Sequence, residues 1–260
     1  MTAPVTLLET GIVRLAALCE ALGFEVALTD DAVKLFIALA GSWGRRAAES
    51  PPIWASDITD DHSPFKFSLA LDGCRAELRF LLEVQGDEPS HATNWAAGLA
   101  MNRRLAREHD VDLSRLATIE ELFAPTSACP RFSIWHAVSL RPAAAHAFKV
   151  YLNPQARGRA SARATVEEAL CRLGFASSIA HLAPAGDRAE PRYFSLDLTA
   201  RREARIKVYT AHFDATSDEP AQGSKLQLGD CLPCSPERGA PLGPANLGRS
   251  IRRSLPWPPG

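Results

Sequence analysis

Apolar positions along the chain follow two different periods, and the changes of period mark the elements. In TLLETGIVRLAALCEALGF, Leu8, Ile12, Leu15 and Leu18 recur at helical spacing, and Gly23 is placed to end the helix. DDAVKLFIALAGSW opens on two aspartates suited to a helix N-terminus and continues apolar. SPFKFSLALDGCRAELRFLLEV then alternates with period two around Asp72-Gly73, which predicts a hairpin. HATNWAAGLAMNRRLAREHDV and the shorter LATIEELF return to helical spacing. RFSIWHAVSL and AHAFKVYLNP predict a second strand pair. SARATVEEALCRLGF predicts a helix with a capping box from Thr165 to Glu168, and RYFSLDLTARREARIKVYTAHF a third strand pair.

These segments form an internal repeat. Each hairpin carries Phe-Ser-aliphatic, at Phe67, Phe132 and Phe194, 65 and then 62 residues apart. The unit is helix, helix, strand, strand. Repeated hairpins backed by helices predict an α+β fold, an antiparallel β-barrel with an outer ring of helices, over residues 1–217. Residues 218–260 are rich in proline and glycine, show neither period, and are expected to be irregular.

Side chains alternate faces along a strand. Phe148, Val150 and Leu152 share one face, and Lys149 and Tyr151 the other. Ile206 and Val208 oppose Arg205, Lys207 and Tyr209; Leu78, Phe80 and Leu82 oppose Glu77, Arg79 and Glu83. The apolar faces are expected to pack on the helices. The other faces then bring a cation from each hairpin into the barrel. A lone lysine on a strand is most simply a snorkelling surface residue. Three cations at matching positions, Arg79, Lys149 and Lys207, point to a bound anion, since converging cations repel one another. At an effective dielectric of about 20, a unit-charge pair at about 4 Å is worth roughly 4 kcal/mol before desolvation. Lys, Arg and Tyr all donate hydrogen bonds to phosphate oxygens, so a phosphate or diphosphate is the expected ligand.

Composition narrows the remaining classes. With a formal net charge of −1, the chain lacks the basic excess of most nucleic-acid-binding proteins. No stretch approaches the roughly 20 apolar residues of a membrane helix, and no basic n-region precedes an apolar run. The six cysteines are mostly scattered, as in a reduced, cytoplasmic protein. Cys231-x-x-Cys234 has no second ligand pair at zinc spacing. DITDD, Asp57 to Asp61, resembles a reversed magnesium–diphosphate motif but stands in a polar run before a strand, where Asx turns account for it.

The repeat, SPFKFSLAL, FKVYLNP and RIKVYT together resemble the dimethylallyltryptophan synthase family of aromatic prenyltransferases, over roughly residues 40–217. The resemblance implies a ββαα-repeat prenyltransferase barrel, of whose five hairpins three are legible here. It implies transfer of a dimethylallyl-type group from a prenyl diphosphate to an indole or other electron-rich ring, by Friedel-Crafts-like attack on an allylic cation. Arg79, Lys149, Arg205 and Lys207 match the family's diphosphate-binding positions, and Tyr151 and Tyr209 its shield over the cation. It implies no obligatory metal, because the basic side chains take that electrostatic role.

Two positions depart from the family, and both are candidate catalytic residues. Lys66 in SPFKFS stands where the family has a glutamate that accepts the indole N–H. This departure points to a different acceptor or to a lost activity; otherwise Lys66 is a solvated strand lysine. His136 stands near the family's proton-removing lysine; it reads either as a neutral imidazole base or as a core histidine. The partners implied are a prenyl diphosphate and an aromatic small molecule, with self-association through open barrel edges. An alternative reading is a truncated, non-catalytic remnant of such an enzyme that acts, if at all, by association with another chain.

Overall fold

Thr6 starts the first helix. Its hydroxyl accepts from the Glu9 N–H at 3.1 Å, and the Glu9 carboxylate accepts from the Thr6 N–H at 2.7 Å. This capping box opens α1, Leu7–Ala21. A computed structural model describes residues 4–48, 51–72, 75–126, 130–142, 144–182, 189–201, 204–213 and 225–228. The elements that follow are α2 (Val26–Ala40), β1 (Phe65–Asp72), β2 (Arg75–Glu83), α3 (His91–Glu108), α4 (Ser114–Ala117), β3 (Ile134–Leu140) and β4 (Ala147–Leu152). Then come α5 (Ala162–Arg172), β5 (Ala189–Asp197), β6 (Ile206–His212) and β7 (Lys225–Leu228).

The strands form one antiparallel sheet in sequence order, β1 to β7, so each pairs with its chain neighbour. Among the described residues β1 and β7 stand at its edges. The apolar faces pack on the helices as the alternation predicts. Phe65, Phe80, Leu82, Ile134, Val150, Phe194 and Val208 join Leu15, Phe36, Leu39, Leu105 and Val166 in one core. Phe36 of α2 lies at its centre, with ring centroids 5.4 Å from Phe65, 5.7 Å from Phe67 and 5.9 Å from Phe80.

Two glycines let helices approach. A Cβ at Gly11 would lie 2.3 Å from the Phe36 ring, and one at Gly98 would lie 2.3 Å from Ile134 Cγ2. Glycine is therefore the residue that fits where α1 crosses Phe36 and where α3 lies on β3.

Several boundaries differ from the sequence expectation. The second helix begins at Val26, so Asp30 and Asp31 lie inside it and on its exposed side. LATIEELF divides into α4 and a 3-10 turn over Glu120–Phe123. The Thr165–Glu168 capping box does not form. A 3-10 turn over Arg159–Ser161 leads into α5, which leaves Thr165 buried inside the helix. The Phe-Ser repeat is not a structural register either. Ser68 and Ser195 face Arg79 and Lys207 across their hairpins, but Lys149 faces Ala137, not Ser133. The segment expected to be irregular holds β7, which pairs Leu226 with Val208. Four residues are too short a run for period two to stand out, and the outer edge of β6 supplies the unpaired backbone groups that hold it. Residues 229–260, with Cys231 and Cys234, lie outside the described residues.

Candidate active site

The sheet face turned away from the helices carries the polar residues. The ladder fixes which of them are neighbours, because cross-strand partners point the same way. Lys149 pairs with Ala137 on one side and Asp197 on the other; Tyr151 pairs with Trp135 and Ser195. Lys207 pairs with Ser195, and Tyr209 with Tyr193. Arg79 pairs with Ser68 and Ser139. Arg79, Lys149, Lys207, Tyr151 and Tyr209 therefore share one face, with Arg205 at the mouth of the third hairpin. Lys207 is buried at 7% exposure, which is unusual for a lysine, and Arg79 is exposed.

Carboxylates stand among these cations. Asp197 takes Lys149 Nζ on Oδ1 at 2.9 Å and Arg205 Nε on Oδ2 at 2.9 Å. Burial works to raise the Asp197 carboxyl, but Lys149 and Arg205 together hold it below the ordinary carboxylate range. Glu77 pairs with Arg79 and faces Arg141 Nε at 3.7 Å.

All three tyrosines of the sequence meet on this face. Ring centroids lie 6.0 Å apart for Tyr151–Tyr209, 6.1 Å for Tyr193–Tyr209 and 6.5 Å for Tyr151–Tyr193. Trp135 lies 5.4 Å from Tyr193 and stacks on Phe132 at 4.0 Å. Burial, with Tyr209 beside it, pushes the Tyr151 hydroxyl well above its ordinary range, so it stays a donor. The result is an aromatic wall next to a cationic one. One can hold the charged end of a ligand, the other a flat or allylic end.

His136 is not in this site. It pairs with Leu82 and Val150, on the helix-facing side of the sheet. It is 1% exposed, its Nε2 lies 2.9 Å from Asn102 Oδ1, and its Cε1 packs near Gly98 of α3. Burial lowers its pKa to about 4, so the ring is neutral above that. Of the two readings open for it, the core histidine is the one its position fits, and it does not act as a base in this site. Trp135, one residue back, points to the opposite face and joins the aromatic wall.

Lys66 stands opposite Leu81 on the edge strand β1 and is exposed. By the same parity it shares the face of Ser68 and Arg79, at the sheet edge, and it lines a cavity between α1 and β1 with Arg14, Ala17, Leu18 and Thr59. Asp57 and Asp61 are engaged within their own segment and with Arg131, Asp61 accepting from Thr59 Oγ1 at 2.6 Å and from the Ser63 N–H at 3.0 Å. The Asp61 bonds are turn contacts of the kind the sequence suggests, whereas Asp57 is an ion-pair partner of Arg131.

Sequence reasoning singled out neither Tyr193, Asp197 nor Glu83 as site residues. Each shares the parity of a residue it did find, and that signal was available. Glu83 is 1% exposed, faces Trp135 across the ladder and accepts the Trp54 indole N–H at 3.1 Å. Burial raises its carboxyl from 4.5 to about 7, which the Trp54 bond only partly offsets. The folded protein thus holds this proton more tightly than the unfolded chain. The associated stability is present below about pH 4.5 and is lost as the pH rises through about 7. Glu83→Gln is therefore expected to be more stable than wild type at pH 8, by about 2–3 kcal/mol, and to show little gain near pH 4.5. Urea unfolding at the two pH values checks this; an equal effect at both would contradict it.

The family model for tryptophan dimethylallyltransferase matches residues 14–224. Among solved structures, the chain is similar to 6-dimethylallyltryptophan synthase from Micromonospora olivasterospora in complex with DMASPP and Trp. The identity is 31% over 81% of this chain and 61% of that one, with a TM-score of 0.75. It is similar to 5-dimethylallyl tryptophan synthase from Streptomyces coelicolor, likewise in complex with DMASPP and Trp, at 32% identity over 82% and 59% and a TM-score of 0.74. The prenyltransferase PriB, in a ternary complex with L-tryptophan and dimethylallyl thiolodiphosphate, matches at 33% identity over 80% and 59%, with a TM-score of 0.74. The chain spans about three fifths of the length of these proteins. With a matched model over most of its length, and with repeated hairpins that carry their cations and tyrosines on one face, this chain belongs to the tryptophan dimethylallyltransferase family.

Proposed function

We propose that the chain is an aromatic prenyltransferase that binds a prenyl diphosphate, dimethylallyl diphosphate being the nearest candidate, on the face of β2, β4 and β6. The acceptor is an indole or another electron-rich ring. The observation that carries this is the repeated placement of a lysine with a tyrosine two residues on. Lys149 with Tyr151 and Lys207 with Tyr209 lie on one face of strands separated only by β5. Arg79 and Arg205 extend the cationic wall. The relatives' complexes with tryptophan and dimethylallyl diphosphate analogues support the same ligand classes.

On this reading the C1–O bond of the prenyl diphosphate breaks and the diphosphate leaves with the electron pair. Lys149, Lys207, Arg79 and Arg205 stabilise its developing charge. Tyr151, Tyr193 and Tyr209 face the allylic cation with their rings and keep water away from it. A ring carbon of the acceptor forms the new C–C bond, and the ring proton then passes to the released diphosphate or to water. Fixed cations take the electrostatic role that a metal takes elsewhere, so turnover is proposed to need no divalent ion. Lys66 is proposed to shift acceptor choice away from a bare indole N–H, since an ammonium donates and does not accept.

The test is incubation of the full chain with dimethylallyl diphosphate and tryptophan, other indoles and phenols, in the presence of EDTA, with mass spectrometry of the products. A prenylated aromatic product is expected. No product with any acceptor, together with no measurable binding of the diphosphate, would overturn the enzyme reading and favour a non-catalytic remnant.

A further inference from the structure

The cationic wall is not simply cationic. Two of its carboxylates, Asp197 and Glu77, each stand between two cations. Asp197 binds Lys149 Nζ through one oxygen and Arg205 Nε through the other, both at 2.9 Å, and Oδ2 also accepts the Arg205 main-chain N–H at 3.1 Å. Glu77 binds Arg79 through Oε1 and faces Arg141 at 3.7 Å through Oε2. The first arrangement is built into the ladder: Lys149 and Asp197 are direct cross-strand partners, and the Asp197 N–H donates to the Arg205 carbonyl at 3.0 Å. It is also sheltered, with the Lys149 and Asp197 side chains 17% and 13% exposed. Water and salt therefore screen the pair weakly.

A carboxylate held this close to two proposed ligands of a diphosphate has two effects. It keeps the cations oriented and apart when no anion is present, where bare cations would repel one another. It also competes for the same N–H donors, so an arriving anion gains only the difference between its own bonds and those it displaces. Resting on the diphosphate reading of this face, we propose that Asp197, and to a lesser degree Glu77, are counter-charges. They hold the cradle in a ligand-ready geometry and limit its grip on diphosphate, so that the leaving group can depart after transfer. Both are positioning residues, since they act through Lys149, Arg205 and Arg79 and not on the ligand itself.

The test is titration calorimetry of inorganic diphosphate into the full chain. Asp197→Asn is expected to bind about tenfold tighter than wild type. Asp197→Glu, which restores the charge, returns the affinity most of the way to the wild-type value. A purely structural role would instead weaken binding in the Asn variant. Glu77→Gln is expected to tighten binding about threefold, less than Asp197→Asn because Arg79 is half exposed and well hydrated. Asp197→Asn that is folded by circular dichroism and binds no tighter than wild type overturns the proposal. If that variant does not fold, Glu77→Gln decides alone, and unchanged or weaker binding overturns it. These results leave the diphosphate site standing when wild type binds. Failure of wild type and every variant to bind overturns the diphosphate reading and the counter-charge role together.

Discussion

Replacing Lys149 and Lys207 together by alanine is expected to weaken dimethylallyl diphosphate binding by at least about a hundredfold. A hydrogen bond from a charged donor contributes roughly 1.5–3 kcal/mol net, and two such bonds account for a factor of this size. Both side chains lie well inside the sheet face, Lys207 at 7% exposure, so their bonds are little weakened by competing water. Loss of Lys149 also leaves Asp197 facing the ligand with only Arg205 to neutralise it, which adds repulsion. Each single variant is expected to lose about tenfold or more. Calorimetric titration of the folded variants checks this. A loss smaller than about tenfold in the double variant would mean that these lysines do not hold the diphosphate.

Phe36→Ala is expected to have the largest effect on stability, about 3–5 kcal/mol. The ring is fully buried and touches three aromatic neighbours on β1 and β2, and the close approach of Gly11 leaves no slack around it. Neither α1 nor β1 can collapse into the space without breaking the contacts that seat Phe65 and Phe80. Urea or thermal unfolding measures the loss. A change below about 1 kcal/mol would show that α2 is not the clamp holding the first hairpin against the helices. The same ring links fold to site, because the outward faces of β1 and β2 carry Lys66 and Arg79 opposite the faces that Phe36 packs.

What the sequence made legible was the parity of each strand. Period two in FKVYLNP and RIKVYT is enough to place Lys149, Tyr151, Lys207 and Tyr209 on one side, and the ladder agrees. What it obscured was register between strands. The match of His136 to a family position allows a base, yet its own parity puts it with Leu82 and Val150 against α3. The Phe-Ser repeat misled for the same reason. Its second copy precedes β3, and the true counterpart of Ser68 and Ser195 is Ala137, which no motif marks. Asp197 and Glu77 were passed over because acids in a cationic row look like surface composition until their oxygens are seen between two cations. Glu83 was equally hidden. It is buried and bonded to Trp54, which no local pattern places at the end of β2. The Thr165 box failed because a 3-10 turn starts the chain's turn before α5, a tertiary choice that local propensity does not announce.

The most direct measurement is a crystal structure of the full chain soaked with an unreactive thiolodiphosphate analogue of dimethylallyl diphosphate. Density for the two phosphorus groups is predicted on the β2–β4–β6 face, with oxygens about 3 Å from Lys149 Nζ and Lys207 Nζ and the prenyl tail against Tyr151 and Tyr209. Density elsewhere, such as the α1–β1 cavity beside Lys66, or none at saturating analogue, would contradict the assignment of this face as the prenyl diphosphate site.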